Sequence, residues 1–98
     1  MTTLNADLRR LADLAANRPD LGVFLFGSVL REPERAYDID LLVIYDNDRS
    51  LDAFRTDVEA LRLSLPVDLI AMTDGEQAHY QFIDRSCAQL LATVFARP

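Results

Sequence analysis

The stretch Ile39 to Tyr45, IDLLVIY, constrains the fold more than any other part of the chain. It is apolar and β-branched on both faces apart from Asp40. Strands of that kind sit in the middle of a sheet that is covered on both sides. Asp38 and Asp40 stand two apart at its entrance, so their carboxylates point to one face while Ile39 and Leu41 point to the other. Two anions at the mouth of a buried strand are unfavourable unless something positive neutralises them.

The flanking pattern supplies the rest of an α/β domain. Leu4, Leu8, Leu11 and Ala15 recur at helical spacing, with Thr3 as the expected N-cap, and Asn17 to Asp20, which contains Pro19, ends that helix. Leu21 to Phe26, LGVFLF, is a short apolar run that stops at Gly27 and reads as a strand. Pro33 limits anything helical after Ser28 to about one turn. Asp46 to Ser50 reads as a polar turn, with Asp46 and Asp48 as turn and cap residues and Ser50 as the expected cap of a helix whose apolar stripe is Leu51, Phe54, Val58 and Leu61. Past Pro66, Val67 to Met72, VDLIAM, is a third strand. Thr73 and Glu76 then have the spacing of a capping box. His79, Phe82 and Ile83 are expected to share one face of the helix that follows, with His79 half-buried, and Arg85 is read as a solvated helix-end cation. Ala88 to Leu91 is expected to form a short edge strand. Strands alternating with helices predict a small mixed sheet of three to four strands flanked by helices. Ninety-eight residues predict one domain spanning 1–98.

A third acid, Asp68, opens the third strand. If that strand lies beside Ile39–Tyr45, Asp38, Asp40 and Asp68 converge. Three carboxylates so close repel one another strongly without a counter-ion. Hard divalent cations suit oxygen ligands, and Mg²⁺ is commonly bound by one or two carboxylates together with waters and substrate phosphates. The expected neutraliser is therefore two Mg²⁺ ions carrying a nucleotide. Gly27 and Ser28 fit the other half of that expectation. Glycine lets the backbone approach a ligand closely, and Ser28 offers a hydroxyl and backbone N–H groups at the start of a helical turn. Arg31, one turn on, adds charge for the same phosphates.

Phe26-Gly27-Ser28, then Asp38-Ile39-Asp40 after a spacer of nine residues, then Val67-Asp68-Leu69 resembles the minimal nucleotidyltransferases of the DNA polymerase beta superfamily, including their antitoxin-like members. The resemblance runs from about Leu21 to Met72. It implies a polymerase-beta-like core and transfer of a nucleoside monophosphate, AMP from ATP by default, onto an acceptor hydroxyl. It implies that Gly27 and Ser28 hold phosphate, that Asp38 and Asp40 bind both metals, and that Asp68 binds the catalytic metal and helps activate the acceptor. Two positions depart from the pattern. Glu32 stands in a neighbourhood where many relatives carry Gly, and Tyr37, expected to pack over the loop, stands where many carry Ser. Small members of the family are often paired with a helical toxin RNase, which makes a partner protein the expected acceptor. The alternative is a non-catalytic antitoxin that acts only by masking such a partner.

Composition narrows the setting. Formal net charge is −6, and the chain has ten Arg and no Lys. Direct nucleic-acid binding is not expected from such a surface. The single cysteine, Cys87, excludes an intramolecular disulfide, fits a cytoplasmic protein, and is expected to be at least half-buried. No run has the length of a membrane span, and the polar N-terminus is not expected to be a signal peptide.

Overall fold

The computed structural model describes residues 3–94. The elements run α1 (Thr3–Ala16), β1 (Gly22–Phe26), α2 (Ser28–Arg31), a 3-10 turn (Pro33–Arg35), β2 (Ile39–Ile44), α3 (Asp48–Leu61), β3 (Val67–Met72), α4 (Asp74–Tyr80), α5 (Phe82–Ser86), β4 (Gln89–Leu90) and α6 (Leu91–Val94). The strands form one mixed sheet in the order β3-β2-β1-β4. β1 is antiparallel to both β2 and β4, whereas β2 and β3 are parallel. The apolar strand β2 is thus internal, as its composition requires, and α3 provides the crossover that parallel neighbours need.

Alternation divides each strand between two faces. Val23 and Leu25 of β1 and Ile39, Leu41 and Val43 of β2 enter one core with Leu8 and Leu11 of α1 and Leu51, Phe54 and Val58 of α3. Phe54, Leu11, Leu25, Ile39 and Leu41 are fully buried there. At roughly 1.5–3 kcal/mol for each large apolar side chain, this layer supplies most of the driving force for folding. The other face carries Asp40, Leu42 and Ile44 of β2. Its cover is thinner. The Phe82 ring of α5 stands edge-on to Phe26, with ring centres 5.1 Å apart, while neither α4 nor α5 has a fully buried residue.

Several local expectations are corrected. Thr3 already belongs to α1 rather than capping it. Asn47, not Ser50, caps α3, its side-chain oxygen accepting from the N–H groups of Arg49 and Ser50. Asn47 is as good a cap as serine and comes first in the chain, which leaves Ser50 inside the first turn. The capping box forms as read: Thr73 Oγ1 accepts from Glu76 N–H and Glu76 returns the bond to Thr73 N–H. The helix after it does not continue to Ile83. Gln81 takes a left-handed conformation (φ 52°) and separates α4 from α5. Gln77 Oε1 stabilises that break by accepting from Ile83 N–H at 2.8 Å. His79 is consequently exposed, stacked edge-on against Tyr80.

Two contacts set the height of β3 against β2. Ile39 N–H donates to Pro66 C=O at 2.9 Å, which joins the starts of the two strands. Asp7, the one buried charged side chain of the described residues, accepts from Ser64 N–H at 3.0 Å and ties the loop before β3 to α1. A bond of this kind to a carboxylate contributes about 1.5–3 kcal/mol. Asp7→Ala is expected to lower the thermal midpoint by several degrees, and Asp7→Asn, which keeps an acceptor, by less. Thermal unfolding of the two variants followed by circular dichroism checks this.

Candidate active site

The register fixes the site. Phe26 of β1 pairs with Asp40 of β2, and Asp40 pairs with Asp68 of β3, so the three residues form one row across the sheet. Asp38 lies one residue before β2 begins, on the face of Asp40. Each of Asp38, Asp40 and Asp68 offers a carboxylate oxygen within 4.8 Å of the other two. Asp38 and Asp40 are half-buried and Asp68, on the edge strand β3, is exposed.

Gly27 follows Phe26 at the end of this row. Its φ of 79° and ψ of −154° suit only glycine. A Cβ there would also fall on the carboxylate of Asp40. Any other residue at 27 would displace the acid as well as strain the backbone. Ser28 begins α2, whose turn closes through Leu30 and Arg31 N–H bonds to Gly27 C=O. Arg31 is exposed, and together with Gly27, Asp40 and Phe26 it lines a cleft of about 540 Å³. A second cleft, of about 340 Å³, lies at the opposite end of the strands around Gly22, Ile44 and Asp46, away from the acids.

Electrostatics within the row are unfavourable to the charged state. Burial raises the pKa of Asp40 above its ordinary 3.8, and the Asp38 and Asp68 charges raise it further, while the Arg31 guanidinium offsets part of this. A cluster of hard oxygen donors with that repulsion fits a divalent cation, which would reverse the balance. An all-carboxylate set suits hard divalent cations such as Mg²⁺, Ca²⁺ or Mn²⁺ rather than softer metals, because no imidazole or thiolate joins the cluster.

The other residues singled out from the sequence fall elsewhere. Tyr37 does not pack over the loop; it is 87 % exposed. Tyr37 lies in the bend just before β2, and the sheet, not its sequence neighbours, sets the direction of that bend. Cys87 is exposed rather than half-buried, in a left-handed conformation (φ 56°) that ends α5. Arg85, Ser86 and Cys87 supply the far wall of the 540 Å³ cleft, which no local motif marks. The signal lay in Ala88 to Leu91: once that segment is an edge strand beside β1, the residues just before it must pass the strand mouth.

Because the folded state raises the Asp40 pKa, it holds that proton more tightly than the unfolded chain does. In metal-free buffer the site's contribution to stability is greatest below the ordinary value of 3.8 and declines as pH rises through the higher folded value. Asp40→Asn is therefore expected to raise the thermal midpoint of the metal-free protein at pH 7 and to flatten this decline. Melting curves from pH 3 to 8 in the presence of a chelator measure both effects.

Compared with known proteins, residues 8–91 match the nucleotidyltransferase domain family. No curated protein gives a significant match. The matched span runs from α1 to the start of α6 and includes every element that carries the acid row and Gly27. With its four-stranded mixed sheet and polymerase-beta-like core, the chain belongs to the nucleotidyltransferase domain family.

Proposed function

We propose that the protein transfers a nucleoside monophosphate, AMP from ATP, to a hydroxyl on a partner protein. The observation that carries this reading is the meeting of Asp38, Asp40 and Asp68 within 4.8 Å, beside a Gly27 whose shape the Asp40 carboxylate demands, in a chain of the nucleotidyltransferase family. Ser28 binds the outer phosphates through its hydroxyl, and Arg31 adds a charge-assisted bond to them. Asp38 and Asp40 would hold two Mg²⁺ ions and Asp68 one of them; when bound, the ions would supply Lewis-acid charge stabilisation and lower the pKa of the attacking hydroxyl. Asp68 orients that hydroxyl and accepts its proton. The acceptor oxygen forms a bond to the α-phosphorus, the bond from that phosphorus to the bridging oxygen breaks, and pyrophosphate leaves with that oxygen. Most of the protein's contribution is positioning and electrostatics, as in other phosphoryl transfers.

A protein acceptor is supported by the exposure of Asp68 on the edge strand β3. An acceptor entering from that side meets an open surface and has to bring its own contacts. The net charge of −6 disfavours an RNA in that role. A helical RNase of the toxin type encoded beside this chain is the partner to test. No helix among the described residues is long and apolar enough to cross a membrane, and we place the protein in the cytoplasm with its partner.

Incubation with labelled ATP, Mg²⁺ and the partner is expected to label the partner. Asp38→Ala and Asp68→Asn should each reduce transfer by at least a hundredfold, while Asp68→Asn still binds nucleotide. Ser28→Ala should slow transfer about tenfold or more with little change in melting temperature. Label appearing only on RNA or a small molecule would remove the partner from the account. Full suppression of the partner by Asp38→Ala would favour simple masking over catalysis.

A further inference from the structure

The cleft beside the acids has two walls of different origin. Gly27, Arg31 and Asp40 form one; Arg85, Ser86 and Cys87 form the other. The second wall is held against β1 on both sides. Phe82, at the start of α5, packs edge-on against Phe26, and Gln89 of β4 pairs with Leu25. Between these anchors Arg85 N–H donates to Gln81 C=O at 3.0 Å and Ala88 N–H donates to Ile83 C=O at 3.1 Å. The backbone of Arg85 is therefore fixed relative to Gly27. Its side chain is exposed and makes no ion pair or hydrogen bond with other described residues. The same holds for the Arg31 guanidinium except for its field at Asp40.

Charge is ordered along the mouth of the sheet. Asp68 and Asp40 occupy β3 and β2, Gly27 ends β1, and Arg31 and Arg85 flank the cleft on the β1 and β4 side. A ligand that needs cation-binding acids at one end and carries several anionic groups at the other lies in one direction only across such a row. A volume of about 540 Å³ is ample for a phosphate tail. We infer that Arg85 binds the terminal phosphates of the nucleoside triphosphate and so fixes the nucleotide's direction, with its α-phosphate at the acid row and its pyrophosphate portion against the α5–β4 segment. This inference rests on the proposed nucleotide transfer. It leaves the β3 side, where Asp68 is exposed, to the acceptor. Arg85 is a specificity-determining residue for the length of the phosphate chain.

The test is calorimetric titration of the full chain with ATP and with AMP, each in the presence of Mg²⁺, for wild type, Arg85→Ala and Arg85→Lys. The wild type is expected to bind ATP at least tenfold tighter than AMP. Arg85→Ala should weaken ATP about tenfold or more and leave AMP unchanged, and Arg85→Lys should recover part of the loss, since a point charge replaces a bidentate fork. Melting temperatures should not move, because the side chain is exposed. Cys87 is a native reporter on the same wall: alkylation of its thiol should slow with ATP and Mg²⁺ and not with AMP. Equal weakening of ATP and AMP, an unchanged ATP affinity in Arg85→Ala, or a loss that tracks melting temperature across both variants would overturn the assignment. A wild type that binds neither nucleotide would remove the proposed transfer itself, whereas a wild-type preference for ATP with no effect of Arg85 removes this inference alone.

Discussion

The parallel pairing of β2 with β3 is the constraint on which the rest depends, because it sets Asp40 level with Asp68. A shift of one residue in that register would send Asp68 to the opposite face of the sheet. The chain secures the register from outside the strands. Ile39 is bonded to Pro66 at the point where both strands begin, and Asp7 holds the preceding loop through Ser64. The core face of the sheet, filled by α1 and α3, then holds both strands rigidly while the acids stand on the other face. Gly27 completes the arrangement by leaving the space that the Asp40 carboxylate occupies. The cluster is a liability to the fold on its own: burial and two neighbouring anions work against the Asp40 charge, and Arg31 offsets part of this. Electrostatic repulsion of this kind, retained at one place in an otherwise well-packed domain, is a cost that a bound divalent cation would relieve.

Much of this was legible in the sequence because it is local. β2 and β3 differ from their sequence readings by at most one residue, since a β-branched apolar run bounded by acids, turns and Pro66 has little else to become. The capping box is a four-residue pattern and formed as such. The spacing of Asp38 and Asp40 gave their common face directly, and only the adjacency of β3 to β2 had to be supplied by the fold. The short edge strand near Ala88 to Leu91 is present as Gln89–Leu90.

What was not legible depends on tertiary contact or on choices between near-equal local solutions. Asn47 and Ser50 compete for the same cap, and nothing within the turn ranks them. The break at Gln81 puts a non-glycine residue at positive φ, which local propensity disfavours; the Gln77 side chain and the packing of Phe82 on Phe26 decide it. That break also explains why His79 is exposed and why Arg85 reaches the cleft. Arg85 is the exposed cation of the last turn of its helix, as read from the sequence; the break turns that short helix back across the end of β1, so that Arg85 also lines the cleft. The exposure of Tyr37 and Cys87 follows from turns whose direction is set by the sheet rather than by their neighbours in sequence.

We propose that the acid row and the Gly27 turn form one site in which cation and triphosphate bind together. Calorimetric titration of the wild-type protein with ATP, in Mg²⁺ and then in a chelator, tests it most directly. ATP is expected to bind at least tenfold more tightly with Mg²⁺ than without, because the three carboxylates repel an uncompensated triphosphate. Equal affinity in the two buffers would contradict it.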